Sequence, residues 1–413
     1  MEDRTVETVV IVGAGQAAGQ MVTSLRQEGF KGPITLIGDE DYVPYQRPPL
    51  SKKFLSGELG LERVYIKPKT YFADQGVDLK LGRRATALDR EARTLTLEDG
   101  ETVAYDRLVL ATGSRVRRLP IPGEDLKGVH YLRGIDDVIA IREHFAEKAR
   151  LVIVGGGYIG LEVAAVAVKA GVAVTVLEME HRVLARVTAP EVSDFFETVH
   201  RDAGVEIRTG MRVSGFEGEN GCLKAVQCAD GSRIPSDFAI VGIGILPNVD
   251  LAEAAGLPCD NGILVDEHGQ TADPQIFAVG DCTNHPNDLV GRRIRLESVQ
   301  NAIDQAKAAA AALCGRFSPY SQVPWFWSDQ YDLKLQIAGL SEGYDRIVLR
   351  GDPASRAFAA FYLRDGAVIA VDAVNAVPEF MVGKKLIAAG ARVAPERLGD
   401  LSISMKDLGR DVA

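Results

Sequence analysis

Cysteine is scarce in this sequence and poorly placed for chemistry. Five occur in 413 residues, at positions 222, 228, 259, 282 and 314. No two stand in a C-x-x-C pair, so the set gives no disulfide framework, no zinc site and no redox dithiol. An iron–sulfur cluster needs four such ligands and is excluded on the same ground. The natural reading of these thiols is as small, inert apolar residues. Positive charge is also in deficit: 47 Lys and Arg face 57 Asp and Glu, for a net charge of −10. Phosphate backbones need a basic face, so nucleic-acid binding is not expected, although a local basic patch is still allowed. No stretch approaches the roughly 20 apolar residues of a membrane helix. The alanine run Ala308 to Leu313 reads as the end of a soluble helix. The N-terminus is acidic and its short apolar run ends in glycines, unlike a secretory signal. A cytoplasmic protein is therefore expected.

Glycine, by contrast, is plentiful, with 42 residues. Two stretches use it in the same way. "TVVIVGAGQAAG" (Thr8 to Gly19) predicts a buried strand Val9 to Val12, a tight turn, a helix from about Gln16 to Glu28 and a second strand Ile34 to Ile37. "RLVIVGGGYIGLEVA" (Arg150 to Ala164) repeats the scheme, with a helix to about Ala170 and a strand Val172 to Leu177. Each is a βαβ unit of about 30 residues. The turns read Gly13-x-Gly15-x-x-Ala18 and Gly155-x-Gly157-x-x-Gly160, both of dinucleotide-binding form. Their glycines let backbone approach a pyrophosphate, and the helix N-terminus adds free N–H groups and partial positive charge. A ribose-binding carboxylate should end each second strand. Asp39 is favoured over Glu40 in the first unit. Glu178 fills the place in the second and predicts NADH over NADPH, with Arg182 nearby as a cation that a 2′-phosphate would find. Each unit precedes or follows short hairpin strands, with turns at "REAR", "EDGE" and "ADGS". After Val323 the pattern changes to antiparallel strands and a helix from about Pro378 to Ala389.

Further segments carry a resemblance. "TADPQIFAVGDC" (Thr271 to Cys282), "LVLATGS" (Leu108 to Ser114) and "VGIGILPN" (Val241 to Asn248) resemble the two-dinucleotide flavoprotein reductases of the glutathione-reductase type. That resemblance implies an α/β fold: two Rossmann-like domains, for FAD (1–115 with 247–323) and NAD (116–246), and a C-terminal α+β interface domain (324–413). Where disulfide reductases of that type carry C-x(4)-C, "PYQRPPLSKKFL" has Arg-Pro-Pro-Leu-Ser-Lys. Its paired prolines stiffen the backbone and open a helical turn. This stretch, "ESVQNAIDQAK", "PWFWSDQYD" and "RVTAPEVSDFFE" resemble the NADH-dependent ferredoxin reductases of bacterial haem-thiolate monooxygenases and ring-hydroxylating dioxygenases.

The resemblance implies FAD contacts at Ala17, Asp39, Lys52, Ala85, Arg133, Asp281 and Val299. Ala85 and Val299 rest on it entirely. Gly13, Gly15, Ala18, Arg47, Ala111, Thr112, Gly113 and Gly280 complete the FAD set. Gly155, Gly157, Tyr158, Ile159, Gly160, Glu162 and Glu178 form the NADH set. Glu162, expected two residues into the helix after the second turn, is implied to pair with Lys52 at the hydride-transfer site. A positive charge there stabilises a reduced, anionic flavin. Trp327 matches an aromatic near the flavin and the ferredoxin-facing surface, or else simply fills a domain interface. The implied activity is hydride transfer from NADH to FAD and single-electron delivery to a [2Fe–2S] ferredoxin. Docking would be transient and electrostatic, with Lys307, Lys334, Lys384 and Lys385 as candidates. A rubredoxin reductase, an NADH oxidase or an NADH-binding flavoprotein of the apoptosis-inducing-factor type would share the scaffold. No metal site is expected.

Overall fold

The structure, a computed structural model, describes residues 7–410. They divide into two compact units. One holds the chain up to Arg47, Gly60–Arg115 and Leu246–Pro324. The other holds Pro48–Leu59, Val116–Ile245 and the chain from Trp325 onward.

The first unit is built on a five-stranded sheet in the order Ile276–Ala278, Arg107–Leu110, Val9–Val12, Ile34–Ile37, Val77–Lys80. All its pairings are parallel. Val9–Val12 is wholly buried, as a β-branched run covered on both faces should be. The helix Gln16–Gln27 buries Ala18, Met21, Val22 and Leu25 along one stripe. Against it packs Val299–Leu313, whose buried alanines allow close approach. A three-stranded antiparallel sheet, Ala85–Asp89, Thr94–Leu97 and Thr102–Ala104, shares its core through Leu95 and Leu97.

The second unit repeats this plan. Its parallel sheet runs Glu206–Arg208, Ala173–Leu177, Arg150–Val154, Phe238–Val241, Val129–Tyr131. An antiparallel sheet, Val213–Glu219, Cys222–Cys228 and Arg233–Pro235, packs into the same core through Phe216, Leu223 and Val226. The predicted elements of both βαβ repeats are present, with ends shifted by a residue or two.

The unit also contains a five-stranded antiparallel sheet, ordered Trp325–Gln330, Leu333–Gly339, Ala367–Val374, Ala357–Arg364, Arg346–Asp352. The helix Val377–Ala388 packs on it. Two more contacts position the site. The helix Tyr158–Lys169 is touched both by the 3-10 turn Pro48–Ser51 and by the strand Trp325–Gln330. Segments more than 100 residues apart thus meet on one helix. No helix among the described residues is long and apolar enough to cross a membrane.

Candidate functional site

Both glycine turns begin as extensions of their sheets. The Gly13 N–H donates to the Ile37 carbonyl at 2.7 Å, and the Gly155 N–H donates to that of Leu177 at 2.8 Å. Each of these glycines has a positive φ, +115° and +109°. A Cβ at Gly13 would lie 2.1 Å from the Ala111 oxygen, and one at Gly155 would lie 2.4 Å from the Gly242 oxygen. Only glycine fits either place. The middle glycines differ: a Cβ at Gly15 or Gly157 would meet nothing within 4 Å. The space above each turn, at a helix N-terminus, is therefore open to a diphosphate.

In the first unit the other expected residues take these places. A Cβ on Gly280 would sit 3.2 Å from that of Ala17. Asp281 accepts a hydrogen bond from Ser114 Oγ at 2.9 Å. Thr112 and Asn248 bond each other reciprocally, at 2.7 and 2.9 Å, tying the two resembling segments together. Arg47 donates to Tyr45 Oη and Glu40 Oε1, and Tyr45 donates in turn to Glu40. Burial opposes the Arg47 charge, but Tyr45, Glu40 and Asp281 outweigh it and hold its pKa above the usual arginine value. Asp39 is half exposed and paired with Arg84, whereas Glu40 is committed to Arg47 and Tyr45, so Asp39 keeps the freer carboxylate. Val299 opens a helix capped by Ser298, and Ala85 opens an edge strand.

In the second unit the Glu178 carboxylate accepts from the Gly156 N–H at 2.6 Å and from the Glu180 N–H at 2.8 Å. It is thereby fixed beside the turn. Arg182 donates to Ser193 Oγ and the Ala185 carbonyl, so its guanidinium is engaged in structural bonds. The backbone N–H groups of Arg133 and Gly134 both donate to Asp137, which caps the helix Ile135–Arg142. Ile159 is exposed at the turn. The Tyr158 hydroxyl is buried without a hydrogen-bond partner among the described residues. Burial, with Asp372 and Glu162 nearby, pushes its pKa well above the usual phenol value.

Three side chains converge on Glu162. The helix starts at Tyr158, so Glu162 is its fifth residue, deeper than the two-residue offset read from the sequence. Its side chain is 3 % exposed. Lys52 Nζ lies 2.7 Å from Oε2, Ser51 donates to the same oxygen at 2.5 Å, and Ser328 donates to Oε1 at 2.6 Å. A buried carboxylate is costly unless paired and hydrogen-bonded, and here three donors satisfy it. The expected Lys52–Glu162 pair is thus formed. Side chains alternate across a strand, so Phe326 and Ser328 share a face and Trp325 and Trp327 share the other. The Phe326 and Tyr158 rings lie 5.0 Å apart, tilted by 37°, and the two tryptophan rings lie 5.6 Å apart. Trp327 therefore faces away from Ser328 and the carboxylate.

The profile of the pyridine nucleotide-disulphide oxidoreductases matches residues 7–306, and a reductase C-terminal profile matches 325–409. The chain belongs to the pyridine nucleotide-disulphide oxidoreductase family. It is 47 % identical to putidaredoxin reductase of Pseudomonas putida, over 97 % of this chain and 96 % of that protein. It is 40 % identical to the ferredoxin–NAD(+) reductase component of a biphenyl dioxygenase system of Paraburkholderia xenovorans, over 98 % of each chain. A solved covalent complex of putidaredoxin reductase with putidaredoxin superposes with a TM-score of 0.96 at 47 % identity, covering 98 % of this chain and 99 % of that one.

Within this oxidoreductase family the present chain has no paired cysteines; its five thiols are free. Ser51 and Lys52 stand in the segment where a dithiol is expected. The open turns at Gly15 and Gly157, the orphan Tyr158 hydroxyl and the fixed carboxylates fit two dinucleotides. Sequence reasoning singled out Lys52, Glu162 and Trp327 but missed Ser51 and Ser328. Both lie in stretches quoted for their resemblance. Their convergence on Glu162 spans separations of 111 and 166 residues, which no local pattern announces.

Proposed function

We propose that this protein is an NADH-dependent ferredoxin reductase that delivers electrons to a [2Fe–2S] ferredoxin of a monooxygenase or ring-hydroxylating dioxygenase system. FAD, when bound, supplies the conversion of a two-electron hydride donor into single-electron transfers. The first turn, with Ala17, Ala18, Asp39, Asp281 and Val299, is assigned to FAD. The second, with Tyr158, Ile159 and Glu178, is assigned to NADH. The Glu178 carboxylate would accept from a ribose 2′-hydroxyl and repel a 2′-phosphate. The engagement of Arg182 supports the same preference, because a 2′-phosphate would need a free cation.

One observation carries the reading. The segment Pro48–Leu59 brings Ser51 and Lys52, with no thiol, onto a buried carboxylate behind the NADH turn. A disulfide-exchanging enzyme would need sulfur there. With none, electrons leave to a separate carrier. Lys52 holds positive charge at the transfer site, and Glu162 holds Lys52.

The partner surface is proposed on the C-terminal helix Val377–Ala388. Val377 and Met381, four residues apart on one face, are each 52 % exposed. Lys385 is exposed beside them, and Lys384 lies 5.4 Å from the Trp325 ring centre. An apolar patch with adjoining cations suits an acidic carrier. Lys334 is exposed, while Lys307 is paired with Asp304 at 3.1 Å. A cytoplasmic location belongs to the same proposal.

The test is stopped-flow reduction of the FAD-loaded protein by NADH and by NADPH, then titration with a panel of [2Fe–2S] ferredoxins and a rubredoxin. Fast reduction by NADH with saturable ferredoxin turnover is expected. Turnover with rubredoxin or dioxygen alone would replace this reading with one of its alternatives.

A further inference from the structure

The hydrogen bonds at Glu162 do not stop at Ser328. Gln330 Nε2 donates to Ser328 Oγ at 3.1 Å. Gln330 Oε1 lies 2.8 Å from His200 Nε2. Tyr331 Oη lies 3.0 Å from His200 Nδ1. His200, Gln330 and Ser328 are each no more than 1 % exposed. His200 belongs to the helix Pro190–Asp202 and touches neither Glu162 nor Lys52 through any of these bonds.

Donor counting fixes the direction of the whole chain. A serine hydroxyl has one proton. If it goes to Glu162 Oε1, Ser328 must accept from its other neighbour, so Gln330 must present its NH2 there. Its carbonyl then faces His200, whose Nε2 must carry the hydrogen. Nδ1 is left bare and accepts from the Tyr331 hydroxyl. Every donor points toward the carboxylate. The opposite tautomer would turn the amide over, draw the serine proton to Gln330 and leave Glu162 Oε1 without its bond.

Two further features hold this order. Tyr331 has φ +57°, a strained conformation for a bulky residue, and the turn folds its ring back onto His200 at 5.0 Å. Burial pushes the His200 pKa down to about 4, against a raising contribution from the Gln330 bond. The ring is therefore neutral at ordinary pH, with one N–H to place.

We propose that His200 is a positioning residue for Glu162, acting through Gln330 and Ser328 to turn the serine proton onto the carboxylate and hold it toward Lys52. The proposal rests on the reading of Glu162 as part of the hydride-transfer site.

The experiment uses the FAD-loaded full chain. His200→Met removes the donor, and His200→Gln keeps an N–H near the same place. Gln330→Glu keeps the shape but accepts where glutamine donates. We expect H200M and Q330E to slow flavin reduction at saturating NADH by roughly ten-fold, the scale of one hydrogen bond to a charged group. H200Q should restore most of the rate. S328A should slow it similarly, and H200M should add nothing to S328A. In native protein, nitrogen-15 NMR of the six histidines, assigned with H200Q, should show His200 as the Nε2–H tautomer. A native rate in Q330E, an additive H200M/S328A double variant or an Nδ1–H tautomer would each overturn the proposal. A native rate in E162Q would remove the site reading and this proposal together. A slow E162Q beside a native-like H200M would remove the positioning role alone.

Discussion

Replacing Lys52 with methionine keeps most of the side-chain length and removes the one cation bonded to Glu162 among the described residues. The carboxylate stays 3 % exposed and retains two hydroxyl donors, Ser51 and Ser328. Removing one partner of a buried ion pair costs about 3–5 kcal/mol. Lys52 is 17 % exposed and the hydroxyls remain, so roughly half of that loss, ~2 kcal/mol, is expected in stability. If the pair also organises hydride transfer, losing a charged hydrogen bond of ~1.5–3 kcal/mol slows the step by roughly 10- to 150-fold. The two effects separate in the double variant K52M/E162Q. It removes the buried charge, so denaturant stability should return toward native. The cation is still missing, so flavin reduction by NADH should stay slow. Stopped-flow absorbance and urea denaturation read the two quantities independently. A K52M protein that reduces its flavin within about two-fold of native at saturating NADH would refute the role of the pair. A double variant recovering rate along with stability would refute it equally.

Gly157→Ala adds a methyl that meets nothing within 4 Å, so unfolding should be nearly unchanged while NADH affinity drops at least ten-fold. Equal NADH titrations for native and variant would show that nothing approaches that turn. Gly155→Ala, by contrast, should destabilise the fold, because its Cβ would lie 2.4 Å from a carbonyl oxygen. Glu178→Ala should erode the preference for NADH, read as the ratio of kcat/KM for the two nucleotides; an unchanged ratio would dismiss the carboxylate as its source. Ferredoxin turnover should weaken with salt, and Lys385→Glu should raise the KM for ferredoxin without slowing reduction by NADH. A salt-independent KM would dismiss electrostatic docking. Asp372 is buried, its pKa pushed up to about 7 by burial despite a bond from Tyr362. The folded protein thus holds a proton that the unfolded chain has lost. The stability this gives is full below pH 4 and disappears as the pH rises to about 7. Asp372→Asn should therefore gain stability relative to native across that window, seen in urea titrations at several pH values; a difference independent of pH would refute the assignment.

Much of this protein is decided locally. A β-branched run, a glycine at positive φ and an amphipathic helix are short-range features, and their repetition at Val9 and Arg150 identifies two dinucleotide units before any contact is known. The missing dithiol is equally local, since a sulfur either stands in the segment after Arg47 or does not. The Lys52–Glu162 pair was reached through resemblance, not through spacing. Asp39 was legible as a strand-end carboxylate, but its partner Arg84 and the commitment of Glu40 to Arg47 were not. Ser51, Ser328, Gln330 and His200 were invisible for one physical reason. A polar side chain far along the sequence carries no mark of the buried group it will satisfy. Only the packing of a 3-10 turn and a C-terminal strand onto one helix brings two distant segments to a single carboxylate, with His200 joined to it through Gln330 and Ser328. There the cost of burying charge turns ordinary serines, an amide and a histidine into parts of one site.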